Sequence, residues 1–231
     1  MHDIRYDAAH DEILVTNPFA HAILVFRGGA DGEESPLRVI QGPRTRMKRP
    51  DRIAVDPVHN EIIIPNRESI LVFPREAQGD VAPIREIRGP DTQLGGVTLA
   101  VDPVHNLIVV GNNRALLIFN RTDDGNVKPR AVITGPKTRI GGFDQIQVYP
   151  PKGWIITAHR GGGDEGERSG DFVGIWSIND NGDVAPRWVL GGPKSTLMRP
   201  RGVALNPPKK ELIVADMRLN MVLTYYFPEL F

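Results

Sequence analysis

Three regularities in the sequence predict an all-β fold built from five copies of one four-stranded antiparallel unit. An eleven-residue frame, clearest as Asp56-Pro-Val-His-Asn-Glu-Ile-Ile-Ile-Pro-Asn66, returns as Asp7 to Asn17, Asp102 to Asn112, Tyr149 to His159 and Asn206 to Asp216. A bulky aromatic residue (Phe26, Phe73, Phe119, Trp176) is followed ten residues later by proline (Pro36, Pro83, Pro129, Pro186). Six residues after each proline comes a Gly-Pro pair, beginning at Gly42, Gly89, Gly135 and Gly192, and the next frame opens 13 or 14 residues further on. Such constant spacing marks duplicated supersecondary units.

Each unit holds four short runs rich in Val, Ile, Leu and aromatics, cut by Gly, Pro, Asn and Asp, as strands and tight turns are. In the second unit the runs are residues 52–55, 61–64, 69–73 and 84–87. No segment sustains a 3.6-residue apolar period, and 24 Gly with 20 Pro interrupt the chain too often for helices. Four-stranded units of about 46 residues fit the blades of a β-propeller, whereas β-helices and leucine-rich solenoids need shorter repeats. The expected blades are residues 3–42, 43–89, 90–135, 136–192 and 193–231, forming a single domain of about 19 strands, the last blade having three. A three-stranded blade leaves a sheet edge open, so either the blade stands with three strands, or a partner chain supplies the fourth in a scaffold or strand-swapped homo-oligomer, or the chain is a fragment of a longer protein.

Composition narrows function by exclusion. The 28 basic and 28 acidic residues cancel, so no whole-molecule field draws the chain to DNA or to an anionic membrane. The absence of cysteine excludes a disulfide framework, a thiolate metal site and a cysteine nucleophile. No apolar run reaches 18 residues, and the first residues have neither the basic start nor the apolar stretch of a signal peptide.

Charge is distributed unevenly if the units are simple up-and-down meanders. The loops between the second and third strands and between successive units then share one face, with 15 Lys/Arg against 9 Asp/Glu, leaving 13 basic and 19 acidic residues elsewhere. Arginine dominates that face, and its planar fork suits carboxylate and phosphate oxygens, so an anionic small molecule or an acidic protein surface is the expected partner. Arg52, Arg114, Arg160, Arg201 and Arg218 are the candidate ligand-binding residues, with His21 at the same face.

The last frame position is always polar: Asn17, Asn66, Asn112, His159 and Asp216. A ring of such oxygens could hold Ca²⁺ or another divalent cation. The competing reading is that Asn and Asp bond the backbone of the following turn. His159 breaks the pattern, precedes Arg160 and leads into the one long insertion, Gly161 to Asp171, which makes it the candidate general base of an enzyme. His10, His59 and His105 share one turn position and read as turn residues. The Gly161-x-Gly163-x-x-Gly166 match lacks a following helix, and the acidic runs at Asp123 to Asn126 and Asn179 to Asp183 read as ordinary hairpin turns.

The run Glu211-Leu-Ile-Val-Ala-Asp216-Met-Arg-Leu-Asn220-Met-Val-Leu and its sister Asn66-Arg-Glu-Ser-Ile-Leu-Val-Phe73 resemble NHL-repeat and YncE-like β-propellers over essentially the whole chain. The Asn-His-Leu signature itself does not occur. The resemblance implies a propeller that binds a ligand or partner, or alternatively a metal-dependent hydrolase or lyase of the gluconolactonase and streptogramin-lyase type. It leans localisation toward the periplasm or cell exterior.

Overall fold

The computed structural model describes residues 3–95, 98–112, 114–159 and 171–231. Nineteen strands form five antiparallel sheets among these residues. The first sheet holds β1 (Ile4–Asp7), β2 (Glu12–Asn17), β3 (Ala22–Arg27) and β4 (Arg38–Ile40), and the second β5 (Ala54–Asp56), β6 (Glu61–Asn66), β7 (Ser69–Pro74) and β8 (Arg85–Arg88). The third holds β9 (Thr98–Asp102), β10 (Leu107–Gly111), β11 (Leu116–Asn120) and β12 (Ala131–Ile133), and the fourth β13 (Phe143–Tyr149), β14 (Trp154–His159), β15 (Phe172–Ser177) and β16 (Trp188–Gly191). The fifth has only β17 (Pro200–Asn206), β18 (Glu211–Asp216) and β19 (Met221–Tyr226). Strand order is sequential in every sheet, and no α-helix occurs among the described residues. The fold is a β-propeller arrangement of five blades, the last lacking its fourth strand. Two compact units are distinguished, Met1–Ile108 with Phe119–Pro129, and Val109–Ile118 with Arg130–Phe231.

The turn between the first two strands of a blade explains the start of the frame. Asp56 is buried; its Oδ1 accepts the backbone N–H groups of Val58 (3.0 Å) and His59 (2.9 Å), and its Oδ2 meets His59 Nδ1 at 2.8 Å. Asp102 and His105 repeat the geometry. Asn60 and Asn106, both at φ 57°, supply the left-handed residue that closes the turn. Where Tyr149 and Asn206 replace the aspartate, Pro150–Lys152 and Pro207–Lys209 form short 3₁₀ turns instead.

Side chains alternate between the two faces of each sheet, and both faces of interior sheets are covered. In the first unit, Leu14, Ile23, Val25 and Ile40 pack on Ile62, Ile64, Leu71 and Phe73 of the second sheet. In the second unit, Ile156, Val173 and Ile175 pack on Val203, Leu212 and Val214 of the fifth. Double burial makes Ile62-Ile63-Ile64 an unbroken apolar run where a one-sided strand would alternate. Each of these side chains contributes about 1.5–3 kcal/mol by leaving water.

The acidic runs after the third strand are not hairpin turns, and this corrects the sequence-based expectation. Gly79 instead lies parallel to the edge strand of the preceding sheet, donating to Val39 (2.7 Å) and accepting from Gln41 (3.1 Å). Gly125 does the same against Glu86 and Arg88, and Gly182 against Val132 and Thr134. The following residue then reaches the Gly-Pro loop: Asp80 accepts from Arg44 N, Asn126 from Asp91 N and Asp183 from Lys137 N. A Cβ on Gly42, where φ is 134°, would collide with Asp80, so glycine is required. Asp80 and Asp183, counted in sequence as belonging to the acidic remainder, therefore sit at the loops assigned to the basic face.

One position at the sheet interfaces is polar in some blades and apolar in others. Glu12 takes Arg38 of its own sheet through two bonds of 2.8 Å and Arg75 of the second sheet through a third. Glu61 takes Arg85 and Arg121 in the same way, each at 2.8 Å. The Arg38 bond holds the Glu12 carboxyl below the usual carboxylate range; burial opposes this and Arg75 reinforces it. The matching residues one repeat later are Leu107, Ala131 and Ile178. Two repeats later they are Trp154, Trp188 and Phe227, whose rings meet edge to face at 5.2 and 6.1 Å. A buried ion triad loses more by losing one member than by conversion to apolar residues. Arg75→Ala, which leaves Glu12 under-compensated, is expected to lower unfolding free energy by about 3–5 kcal/mol. The triple change Glu12→Leu, Arg38→Ala, Arg75→Ile, copying the third set, is expected to match or exceed the parent, as denaturant midpoints would show.

Candidate functional site

An open groove of about 500 Å³ lies in the first unit beside the turn joining β6 to β7. Arg46, Lys48, Arg67 and Arg88 line it, with Glu68 and Glu86. A smaller hollow of about 310 Å³ shares Glu68 and Arg88 and continues over the Gly89-Pro90 turn. All four cations are exposed. Four positive against two negative side chains leave the groove net cationic.

Asn66 builds the groove from beneath. Its Oδ1 accepts the Lys48 N–H at 2.6 Å, and its Nδ2 donates to the Arg46 carbonyl and to Ser69 Oγ, both at 3.2 Å. The end of β6 thereby fixes the loop that carries Arg46 and Lys48. Arg46 ends the 3₁₀ turn Pro43–Thr45 at φ 59°, and Arg67 opens the two-residue turn after β6 at φ 60°. Glycine or asparagine adopts such backbone more cheaply. The same cap is Gln93 or Thr196 in other blades, so backbone geometry does not demand arginine there. Arg46 Nη1 bonds Glu86 at 2.8 Å, which steadies one guanidinium across the groove.

The residues singled out from sequence fall in both units. Arg52 and His21 belong to the first unit; Arg114, Arg201 and Arg218 belong to the second. His21 Nδ1 meets the Met47 carbonyl at 3.0 Å, tying the turn before β3 to the loop before β5. Arg201 pairs with buried Asp144 at 3.0 Å. Arg114 is exposed on the turn before β11, as is Arg218 before β19. Arg160 lies outside the described residues, as does the insertion through Gly170.

The polar ends of the frames are engaged with backbone. Asn17 Oδ1 accepts Ala20 N, and Asn112 Oδ1 accepts the N–H groups of Arg114 and Ala115. Asp216 accepts four, from Met198 and Arg199 on one oxygen and Arg218 and Leu219 on the other. Among the described residues, no three His, Cys, Asp or Glu side chains converge as metal ligands.

The structure encloses His159, the candidate general base. It is fully buried, stacked on Phe172 at 4.3 Å and flanked by Phe143 and Trp176, with Nε2 against Thr157 Oγ1. Burial pushes its pKa down to about 3, the Arg139 charge adding to this and the Gly142 backbone opposing it. In this position the ring packs against three aromatic side chains. Arg88 and Glu86 were missed because they lie in β8, outside the loops used to assign the face.

No protein-family model matches the chain, and no curated protein does. Among solved structures 836 chains match, so the fold is too widely shared to specify a chemistry. One, entitled Kuenenia stuttgartiensis Hydrazine Synthase, is 15% identical with a TM-score of 0.66, over 91% of this chain and 54% of that one. That likeness shows the fold alone, and the chain spans about half the length of the relative. What fold and comparisons define is a propeller-type module.

Neutral burial of His159 has a consequence for acid stability. Below pH 6.5 the unfolded chain binds a proton that the folded chain refuses until about pH 3, so stability falls as pH drops through that window, at most about 1.4 kcal/mol per unit. His159→Phe is expected to flatten the dependence between pH 6.5 and 5, above the carboxylate range where Glu12 contributes. Unfolding free energies at several pH values check this, and an unchanged slope contradicts it.

Proposed function

We propose that the chain is a binding module that holds a small polyanion, carrying two or more carboxylate or phosphate groups, in the groove of the first unit. The observation that carries this reading is the convergence of Arg46, Lys48, Arg67 and Arg88 on one open hollow against only Glu68 and Glu86. Exposed arginines lose little by waiting in water and gain bidentate, charge-assisted bonds when an oxyanion arrives. The Asn66 bonds to the loop carrying Arg46 and Lys48 lower the ordering cost of binding. The hydrolase or lyase alternative has no comparable support, since its base candidate is buried away from any ligand.

Citrate, a trianion near neutral pH, serves as probe. Calorimetric titration is expected to show binding that weakens as salt rises from 0.05 to 0.5 M, because the pairs are exposed and screened. Arg67→Ala and Arg88→Ala are each expected to raise the dissociation constant about tenfold, the loss of one charge-assisted bond. Retention of citrate indifferent to salt and to both changes, or no binding at low salt, would overturn the reading.

A further inference from the structure

The cationic groove of the first unit adjoins one Gly-Pro loop and the smaller hollow adjoins the next, and the repeat makes the two loops directly comparable. At matching positions the loop from Gly42 carries Arg44, Arg46 and Lys48, whereas the loop from Gly89 carries Asp91, Gln93 and Gly95. Both open with the same 3₁₀ turn, Pro43–Thr45 and Pro90–Thr92, and both end it on a left-handed residue, Arg46 at φ 59° and Gln93 at φ 55°. The backbone is shared while three cations give way to one anion.

Arg88 and Glu68 stand between the loops and line both spaces, the groove of about 500 Å³ and the hollow of about 310 Å³. The other walls of the hollow, Gly89, Pro90, Thr92, Gln93 and Leu94, are uncharged. Asp91, flanked by two of them, keeps its carboxylate on Asn126 Nδ2 at 3.0 Å. The wall is formed in advance of any ligand. Thr92 Oγ1 donates to the Gly89 carbonyl at 2.6 Å and accepts from Leu94 N at 3.3 Å, and Asn126 Oδ1 accepts from Asp91 N at 2.9 Å. A negative group in the hollow would meet Glu68 and the adjacent Asp91 against Arg88, whereas in the groove it meets Arg46, Lys48 and Arg67 as well. Negative charge therefore belongs at the groove end.

On the reading of the groove as a polyanion site, we infer that groove and hollow together hold a nucleoside di- or triphosphate, its phosphates among Arg46, Lys48 and Arg67, with Arg88 at the junction and the nucleoside in the hollow. A ligand filling both spaces must crowd its charge at one end. A phosphate chain does so, whereas carboxylates at the two ends of a carbon chain do not. Pro90 and Leu94 offer apolar surface to a base, and Gln93 an amide to its edge. Both spaces fall within the roughly 300–1,000 Å³ of small-molecule sites.

Calorimetric titration of the whole chain with inorganic triphosphate and with ATP, GTP, CTP and UTP, all in chelator, tests this. Inorganic triphosphate carries no less charge than a nucleotide tail, so charge alone gives the nucleotides no advantage. At least one nucleotide is expected to bind about tenfold more tightly than triphosphate. Gln93→Gly removes an exposed side chain at a backbone angle that glycine adopts freely, and Leu94→Ala trims the apolar wall. Each is expected to weaken that nucleotide about fivefold and to leave triphosphate unchanged, whereas Arg67→Ala weakens both; circular dichroism verifies the folds. Triphosphate binding with no nucleotide tighter, or hollow variants that spare the nucleotide or weaken both probes alike, would overturn this inference and leave the polyanion reading standing. No binding of triphosphate or of any nucleotide at low salt would overturn both.

Discussion

Face-to-face burial of one small sheet on the next is the interaction on which the rest of this structure depends. A four-stranded sheet with apolar residues on both sides cannot hide them alone, and isolated small sheets are marginal in water. Ile62 and Ile64 are enclosed because Leu14 and Ile23 cover them, while Ile63 points to the opposite side. Stability in such an array is a sum over neighbouring sheets.

Polar devices at the rim fix how the sheets meet. The glycine after β7, β11 and β15 threads along the neighbouring edge, and Asp80, Asn126 or Asp183 then caps the neighbouring Gly-Pro loop. The edge strands β4, β8 and β12, which would otherwise offer unpaired backbone, are thereby covered. The same economy produces the groove: Asn66 serves both its own strand end and the loop bearing Arg46 and Lys48. A structural bond that many blades need in some form lies beneath a cationic groove only where arginine and lysine occupy the loop.

The frame, the Gly-Pro spacing and the strand runs were legible in the sequence because duplicated structure repeats its requirements at fixed intervals. The path of residues 75–84 was not, since an Asp-Gly pair looks the same in a tight hairpin and in a segment laid along another sheet. The Glu12, Arg38 and Arg75 triad was visible in principle: aligning the units places glutamate, arginine and arginine beside Leu107, Ala131 and Ile178, then Trp154, Trp188 and Phe227. What concealed it was the separation of its members by up to 63 residues. His159 misled because its departure from Asn or Asp looked like a site, whereas Phe143, Phe172 and Trp176 around it make the departure a matter of packing. Of the groove, only the arginine-rich character of its loops was legible; Arg46 and Arg67 were not among the residues singled out, and Arg88 lay within a strand.

The central claim, that stability is assembled sheet by sheet from neighbouring faces, is tested most directly by amide hydrogen exchange in the native state. The account predicts slowest exchange in β6, β7, β10 and β14, faster exchange in β2 and β3, and fastest exchange in β19, which pairs with a strand on one side only. Exchange at one common rate across all five sheets would contradict it.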